Sequence, residues 1–217
     1  MTLPVLLPLK YLNNSKSRLY DILGDNKKDL VIALLRDMIL LLQKFPEIDI
    51  YLLTKKENID ILPDGLEVNF IFEDEPDLNR ALEKGIAYLK DKAKEVLILP
   101  LDLPFVNEAD IKSLISISKE GSAAISPSSR DGTSALLLPL DKKFKIQFGD
   151  KSFEKHVKEF QKNDILFKIL NSDTLFYDLD TPEDILRVIV VKPDTFAYSI
   201  LRDNIDSKDN YVSLRGK

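Results

Sequence analysis

Two aspartates in this chain stand where carboxylates have chemistry to do. The run V-L-I-L-P-L-D-L-P at 96–104 reads as a strand buried on both faces, and it delivers one carboxylate, Asp102, between Pro100 and Pro104. A lone buried carboxylate is costly unless it is paired or binds a cation. Ligands of open α/β sheets collect at the carboxyl ends of the strands, which is where Asp102 falls. A turn aspartate starting the next helix is the plainer explanation, yet Asn107 in N-E-A-D already supplies that start. The second position is D-L-D-T-P-E-D at 178–184. Thr181 as N-cap, Pro182 at the first helical position and acidic Glu183 and Asp184 are all explained by a helix beginning there. Asp180 is left over. Alternation along an extended segment at 175–179 points Asp178 and Asp180 to one face. Asp102 and Asp180 meeting across adjacent strands would then clamp one or two Mg²⁺ ions, with Asp178 behind them.

Three cations occupy the loop after the first strand, K-Y-L-N-N-S-K-S-R-L at 10–19. Lys10, Lys16 and Arg18 there could neutralise a triphosphate, or the loop could be an ordinary solvated connection. Two further loops are D-G-T-S at 131–134 and F-G-D-K-S-F at 148–153. Ser152 is expected to be an N-cap that leaves the backbone N–H groups of its helix start free for a small anion, although plain turns would explain both loops. His156, one turn into that helix, fits a surface or packing residue better than a catalyst. Glu73-Asp74-Glu75 reads as a solvated strand end. Asn79 heads a helix, where it either caps the backbone or reads a base edge.

Composition narrows the chemistry further. The 217 residues contain no cysteine and one histidine, which excludes thiol nucleophiles, thiolate metal sites and paired imidazoles. Net charge is −5 without a basic tract, so nucleic acid is not the expected partner. With seven glycines, neither G-x-G-x-x-G nor a Walker motif occurs. No basic region precedes a long apolar stretch at the N-terminus, and Lys10 interrupts the one candidate. A cytoplasmic location away from membranes is the expectation.

Elements alternating in β/α order predict a single-domain, Rossmann-like α/β fold, a mostly parallel sheet with helices on both faces. Strands are expected at 3–9, 49–54, 67–72, 95–99, 123–127, 134–139, 165–170 and 175–179. Helices are expected at 26–45, 78–90, 107–119, 152–162 and 181–190, with a short helical piece at 57–62. Leu30, Leu34, Met38, Leu41 and Phe45 form the apolar stripe of the long helix, and Pro46 follows it. The domain is placed at 1–190. The segment 191–217 loses periodicity and is read as an extension that packs loosely or contacts a second copy, which admits a homodimer.

At these residues the chain resembles the 2-phospho-L-lactate guanylyltransferase family, nucleotidyltransferases related to molybdenum-cofactor nucleotidylation enzymes. The segments carrying the resemblance are L-P-L-K-Y-L-N-N-S-K-S-R-L (7–19), L-L-R-D-M (34–38), D-L-N-R-A-L (77–82), L-P-L-D-L-P-F (99–105), D-G-T-S-A-L-L-L (131–138), F-G-D-K-S-F-E-K-H (148–156) and D-L-D-T-P-E-D (178–184). They fall in family order over residues 3–190; the lysine loop with D-G-T and F-G-x-x-S-F is the specific part. The resemblance implies transfer of GMP from GTP to a small phosphorylated three-carbon acid in deazaflavin coenzyme biosynthesis. It implies Asp102 and Asp180 as Mg²⁺ ligands, and Lys10, Lys16 and Arg18 on the GTP phosphates, with Lys16 acting in catalysis. Asn79 would lie near the guanine, and main-chain groups at Thr133, Gly149 and Ser152 would receive the acceptor's carboxylate. Ser134, Leu101 and Lys151 depart from the family pattern, where asparagine, a small residue and glycine are usual. The departures leave the carboxylate pair intact.

The expected activity is therefore a guanylyltransferase using 2-phospho-L-lactate and releasing pyrophosphate. The acceptor phosphate is already an anion near neutral pH, so no strong general base is needed. Alternatives are a nucleotidyltransferase for phosphoenolpyruvate, 3-phosphoglycerate or a molybdopterin-type cofactor, a glycosyltransferase of similar architecture, or a nucleotide sensor without catalysis. The glycosyltransferase reading lacks its D-x-D, because the position reads Asp102-Leu103-Pro104.

Overall fold

The aliphatic runs of the sequence become the strands of one twisted sheet. The computed structural model describes residues 2–9, 19–62, 65 and 67–206; Lys10, Lys16 and Arg18 lie outside the described residues. The elements are β1 (Leu3–Leu9), α1 (Tyr20–Leu23), α2 (Lys27–Leu42), β2 (Ile48–Thr54), β3 (Asn69–Phe72), α3 (Leu78–Leu89), β4 (Glu95–Ile98), α4 (Glu108–Lys119), β5 (Ala123–Pro127), β6 (Thr133–Pro139), α5 (Ser152–Lys162), β7 (Phe167–Ile169), α6 (Asp173–Phe176), α7 (Pro182–Val191) and α8 (Phe196–Asp206). Their order in the sheet is β3-β2-β1-β4-β6-β5-β7. From β3 to β4 every pairing is parallel, whereas β6 runs antiparallel to both β4 and β5. β7 returns parallel to β5. The expected mostly parallel α/β sheet is what forms, with one reversed strand near its middle.

Both faces of the sheet are covered, as alternation along β1 requires. Leu3, Val5, Leu7 and Leu9 join Val31, Leu35 and Met38 of α2 and Ile111 and Leu114 of α4 on one face. Leu6 points the other way, to Ala81, Leu82 and Leu89 of α3 and Phe160 of α5. Gly85 lets α3 sit against β1, since a Cβ there would come within 2.9 Å of Leu6 Cδ2. α2 ends earlier than the predicted 45: Gln43 caps it, and Phe45 is buried in the turn that follows, its N–H on Leu42 O at 3.0 Å.

Two expectations about the C-terminal third fail. Residues 175–179 are not a strand. Ser172 accepts from Leu175 N and starts the one-turn helix α6, with Leu175 buried beneath it. The segment after Val190 does not pack loosely over residues 196–206. Asp37, on α2, accepts from the N–H groups of Phe196 and Ala197, both at 2.9 Å, and so caps α8 from a distant helix. Ala197, Leu201 and Ile205 are buried against Leu19, Leu23, Leu30, Leu34, Ile185 and Val188, a third apolar cluster. The Arg36 guanidinium lies over the Phe196 ring at 3.9 Å. No helix among the described residues is long and apolar enough to cross a membrane.

Candidate functional site

The loop leaving β4 and the turn entering α7 are joined by backbone: Leu179 N–H donates to Asp102 O at 2.8 Å. That bond sets the half-buried Asp102 beside the half-buried Asp178 and Asp180. The sequence-based route to this meeting, alternation along a strand, is incorrect because 177–181 forms no strand. Asp184 builds the turn instead. Its Oδ2 accepts from Asp180 N at 3.0 Å, Thr181 N at 2.8 Å and Thr181 Oγ1 at 2.9 Å, a capping box at the helix start where Thr181 was expected as N-cap. Burial pushes the Asp184 carboxyl up, but the Asp180 N–H, Arg130 and Thr181 outweigh it and hold Asp184 below the usual carboxylate range.

Arg130 is the residue the sequence reading missed. It sits in the loop between β5 and β6 and forks onto two carboxylates: Nη1 to Asp178 Oδ1 and Nη2 to Asp184 Oδ2, each at 2.5 Å. Ser129 Oγ donates to the same Asp178 oxygen at 2.7 Å. Burial raises the Asp178 carboxyl; Ser129 and Arg130 oppose that, while the Asp102 and Asp180 charges add to it. The signal available in sequence was the crowding of Asp178, Asp180 and Asp184, which calls for a cation nearby. Arg130 and Ser129 are committed to Asp178, and the Asp102 and Asp180 carboxylates share the corner with it. Among the described residues no group of three or more His, Cys, Asp or Glu could by itself hold a metal. A pair of carboxylates is a donor set that suits a hard cation completing its shell with water and substrate phosphates.

The same loop reaches the other side of the site. Asp131 O accepts from Phe153 N at 3.2 Å, at the start of α5. Gly132 leaves room for Ser128, whose Oγ would fall 2.5 Å from a Cβ built there. Ser152 is not the N-cap expected. Lys151, in the left-handed region at φ 51°, takes that place without a side-chain cap, and Ser152 N–H donates to Gly149 O at 3.1 Å. The amides of Ser152 and Phe153 are therefore used internally. The Ser152 hydroxyl donates to Thr133 Oγ1 at 3.2 Å. Gly149 adopts φ 118°, a region open to glycine and strained for other residues.

His156 is fully buried between Phe144 and Phe148, the packing residue expected. Its Nε2 accepts from Gln147 N at 2.9 Å, and its Nδ1 lies 2.9 Å from Thr133 Oγ1. Burial, helped by the Lys155 charge, lowers its pKa to about 4. A neutral imidazole whose Nε2 accepts carries its hydrogen on Nδ1, which donates to Thr133. Asn79 grips the next residue from α3: its Nδ2 donates to Phe148 O at 3.1 Å, and its Oδ1 accepts from Phe148 N at 2.7 Å. It does not cap α3, a task done by Asp77. Glu73 is also not solvated; it is buried and accepts from Glu75 N at 2.6 Å. A cavity of about 580 Å³ between α2, the 103–108 loop and the start of α8 contains none of the expected site residues.

A doubly wound sheet whose strand-end loops gather a carboxylate pair beside a glycine-bearing turn defines a nucleotidyltransferase-type enzyme. A solved structure assigned as a nucleotide-diphospho-sugar transferase from Desulfovibrio desulfuricans G20 has the same fold. It superposes with a TM-score of 0.79 at 18% identity, covering 95% of this chain and 96% of that one. The chain belongs to the guanylyl transferase CofC-like family, whose profile matches residues 3–210 and so extends past the residue-190 limit of the resemblance read from sequence. The 2-phospho-L-lactate guanylyltransferase of Methanocaldococcus jannaschii is 30% identical over 212 residues, covering 96% of this chain and 92% of the relative. The phosphoenolpyruvate guanylyltransferase of Thermobaculum terrenum is 30% identical over 195 residues, covering 88% and 85%. The family implies a nucleotide and a phosphorylated substrate, and nucleotidyltransferases of this kind generally use a divalent metal ion.

Proposed function

We propose that the protein transfers GMP from GTP to 2-phospho-L-lactate, giving a lactyl-diphospho-guanosine and pyrophosphate. The observation that carries this reading is the 128–133 loop, which braces the carboxylate corner through Ser129 and Arg130 and the α5 start through Asp131. One loop thus sets the distance between a place for a metal–triphosphate and a place for an anionic acceptor. The acceptor phosphate attacks the α-phosphorus of GTP, the bond to the β-phosphate oxygen breaks, and pyrophosphate leaves. Mg²⁺, when bound, would offset charge on the transferring phosphate, with Asp102 and Asp180 holding it.

This chain's own residues supply positioning and charge. Lys10, Lys16 and Arg18 take the GTP phosphates, with Lys16 at the transferring one. Thr133, Gly149 and Ser152 line the acceptor's carboxylate. Asn79 stands near the guanine in this reading, and its amide, engaged with Phe148, also steadies the acceptor-side loop that follows. Phosphoenolpyruvate is the second reading, favoured by the Thermobaculum terrenum relative. On this reading the enzyme works in the cytoplasm, can form a homodimer, and has no nucleic-acid partner.

Incubating the protein with each nucleoside triphosphate, Mg²⁺ and 2-phospho-L-lactate, phosphoenolpyruvate or 3-phosphoglycerate, and measuring pyrophosphate, tests this. GTP with phospholactate should be fastest. A faster reaction with another base, or with phosphoenolpyruvate, would replace that half of the assignment.

A further inference from the structure

The carboxylate corner carries its own cation. Arg130 bonds Asp178 through Nη1 and Asp184 through Nη2, and Nη2 also donates to Thr181 Oγ1 at 3.3 Å. Burial works against the charge of Arg130, but Asp184, Asp178 and Asp180 outweigh it and raise its pKa above the usual arginine value. One guanidinium thus acts on Asp178, Asp180 and Asp184 together, and Asp102 acts on the same Asp178. Arg187 is the lesser cation here. Its Nη1 stands 3.6 Å from Asp184 Oδ1, and its guanidinium lies flat over Tyr177, 3.8 Å from the ring centre. An arginine is a poor neighbour for a divalent ion that is to stay bound permanently. Its fixed charge repels the ion, and it cannot shed a proton to make way. It suits an ion that arrives and leaves with a polyanion, whose phosphates bring further negative charge and further oxygen ligands.

We propose that Arg130 is a resident counter-cation that makes divalent-cation binding at this corner conditional on the triphosphate. Without nucleotide, the guanidinium holds Asp178 and Asp184 together and keeps the corner's pull on a free ion weak. With nucleotide, the triphosphate supplies the charge that retains the ion beside Asp102 and Asp180. Once pyrophosphate is released, the same guanidinium favours departure of the ion with it. Arg130 is a positioning residue in this scheme and touches no reacting atom. The inference rests on reading Asp102 and Asp180 as the metal–triphosphate side of the site.

The test titrates Mn²⁺ alone into the wild type, Arg130→Gln and Arg130→Lys. It also titrates the wild type, with and without Mn²⁺, with a GTP analogue whose α,β-bridge is a methylene and so cannot release pyrophosphate. The wild type should bind the analogue about tenfold or more tighter with Mn²⁺, and by linkage the analogue tightens Mn²⁺ by the same factor. Arg130→Gln should bind Mn²⁺ alone about tenfold tighter than the wild type, since a unit charge beside a divalent ion is gone. Arg130→Lys keeps that charge and should stay near the wild type. A purely structural role for Arg130 would instead weaken the ion in both variants. If Mn²⁺ does not tighten the analogue in the wild type, the metal–triphosphate reading fails and takes this inference with it. If it does, and Arg130→Gln binds Mn²⁺ alone no tighter than the wild type, the inference alone is overturned. Equal tightening in Arg130→Lys overturns it too, because the fork and not the charge would then set the affinity. Should Arg130→Gln fail to fold, the wild type still decides: Mn²⁺ bound as tightly alone as with the analogue removes the condition proposed.

Discussion

The two halves of the sheet present their loops by different means. In the parallel half, β3-β2-β1-β4, backbone register carries β1 and β4 to the site: β1 pairs with β2 along its whole length, and Leu99 N–H continues the bond to Leu6 O before the chain reaches Asp102. In the mixed half, β6-β5-β7, the register slips between Ser126 and Pro127, and the loops are held by side chains: Arg130, Ser129, His156, Ser152 and, from α3, Asn79. A site spanning both halves should therefore respond to mutation in two ways. Where register does the positioning, a side chain can be removed with its chemistry and little else. Where side chains do the positioning, removal changes geometry and stability together.

The largest effect expected is chemical and falls on the carboxylate pair. Asp102→Asn and Asp180→Asn should each lower kcat about a hundredfold or more, roughly 3 kcal/mol, from lost stabilisation of charge. Asp102→Asn should do so with an unchanged melting temperature, checked by pyrophosphate release and thermal unfolding on the same samples. A comparable loss of stability in Asp102→Asn would erase the contrast between the halves.

Arg130→Met should show the opposite balance. It takes the Arg130 cation from the half-buried Asp178 and leaves the buried Asp184 with Arg187 alone, costing on the order of 1–3 kcal/mol of stability. Denaturant unfolding measures this, and adding Asp178→Asn should recover part of it by removing one of the stranded charges.

A stability–pH profile probes the other side-chain brace. His156 titrates near 6.5 when unfolded and about 4 when folded. The unfolded chain therefore binds more protons between those values, so the contribution is complete above about 6.5 and is lost as pH falls toward 4. The difference can reach about 3 kcal/mol. Asp37, Glu95 and Asp178, raised first by burial, slope the other way. The difference between wild type and His156→Gln isolates the histidine part; parallel profiles would show that His156 titrates alike in both states.

The smallest effect separates two roles for one residue. Asn79→Ala removes both bonds to Phe148 and should raise the acceptor KM about three- to tenfold, a cost of about 1 kcal/mol. If Asn79 reads the base, the GTP KM moves instead.

Most of the parallel half was legible because its strands are aliphatic runs whose pairing needs no distant partner. The carboxylate corner was legible as a place and misread as a mechanism. Leu175 and Leu179 looked like the inward residues of a strand, while Ser172 three positions ahead was already the cap of a helical turn. α8 was hidden for a different reason. Its cap is Asp37, about 160 residues upstream, and no local pattern announces such a donor pair. His156 and Asn79 were seen as residues, but their partners Gln147, Thr133 and Phe148 follow from packing alone.

Asp37 also ties the two ends of the chain's history together. During synthesis α1 and α2 emerge about 170 residues ahead of α8, yet Leu23, Leu30 and Leu34 are covered by its Ala197, Leu201 and Ile205. Until residue 206 has cleared the ribosome, an apolar stripe on the nascent protein faces water. At about 5–20 residues per second, that interval lasts on the order of ten seconds, long enough for a chaperone or a neighbouring nascent chain to find it.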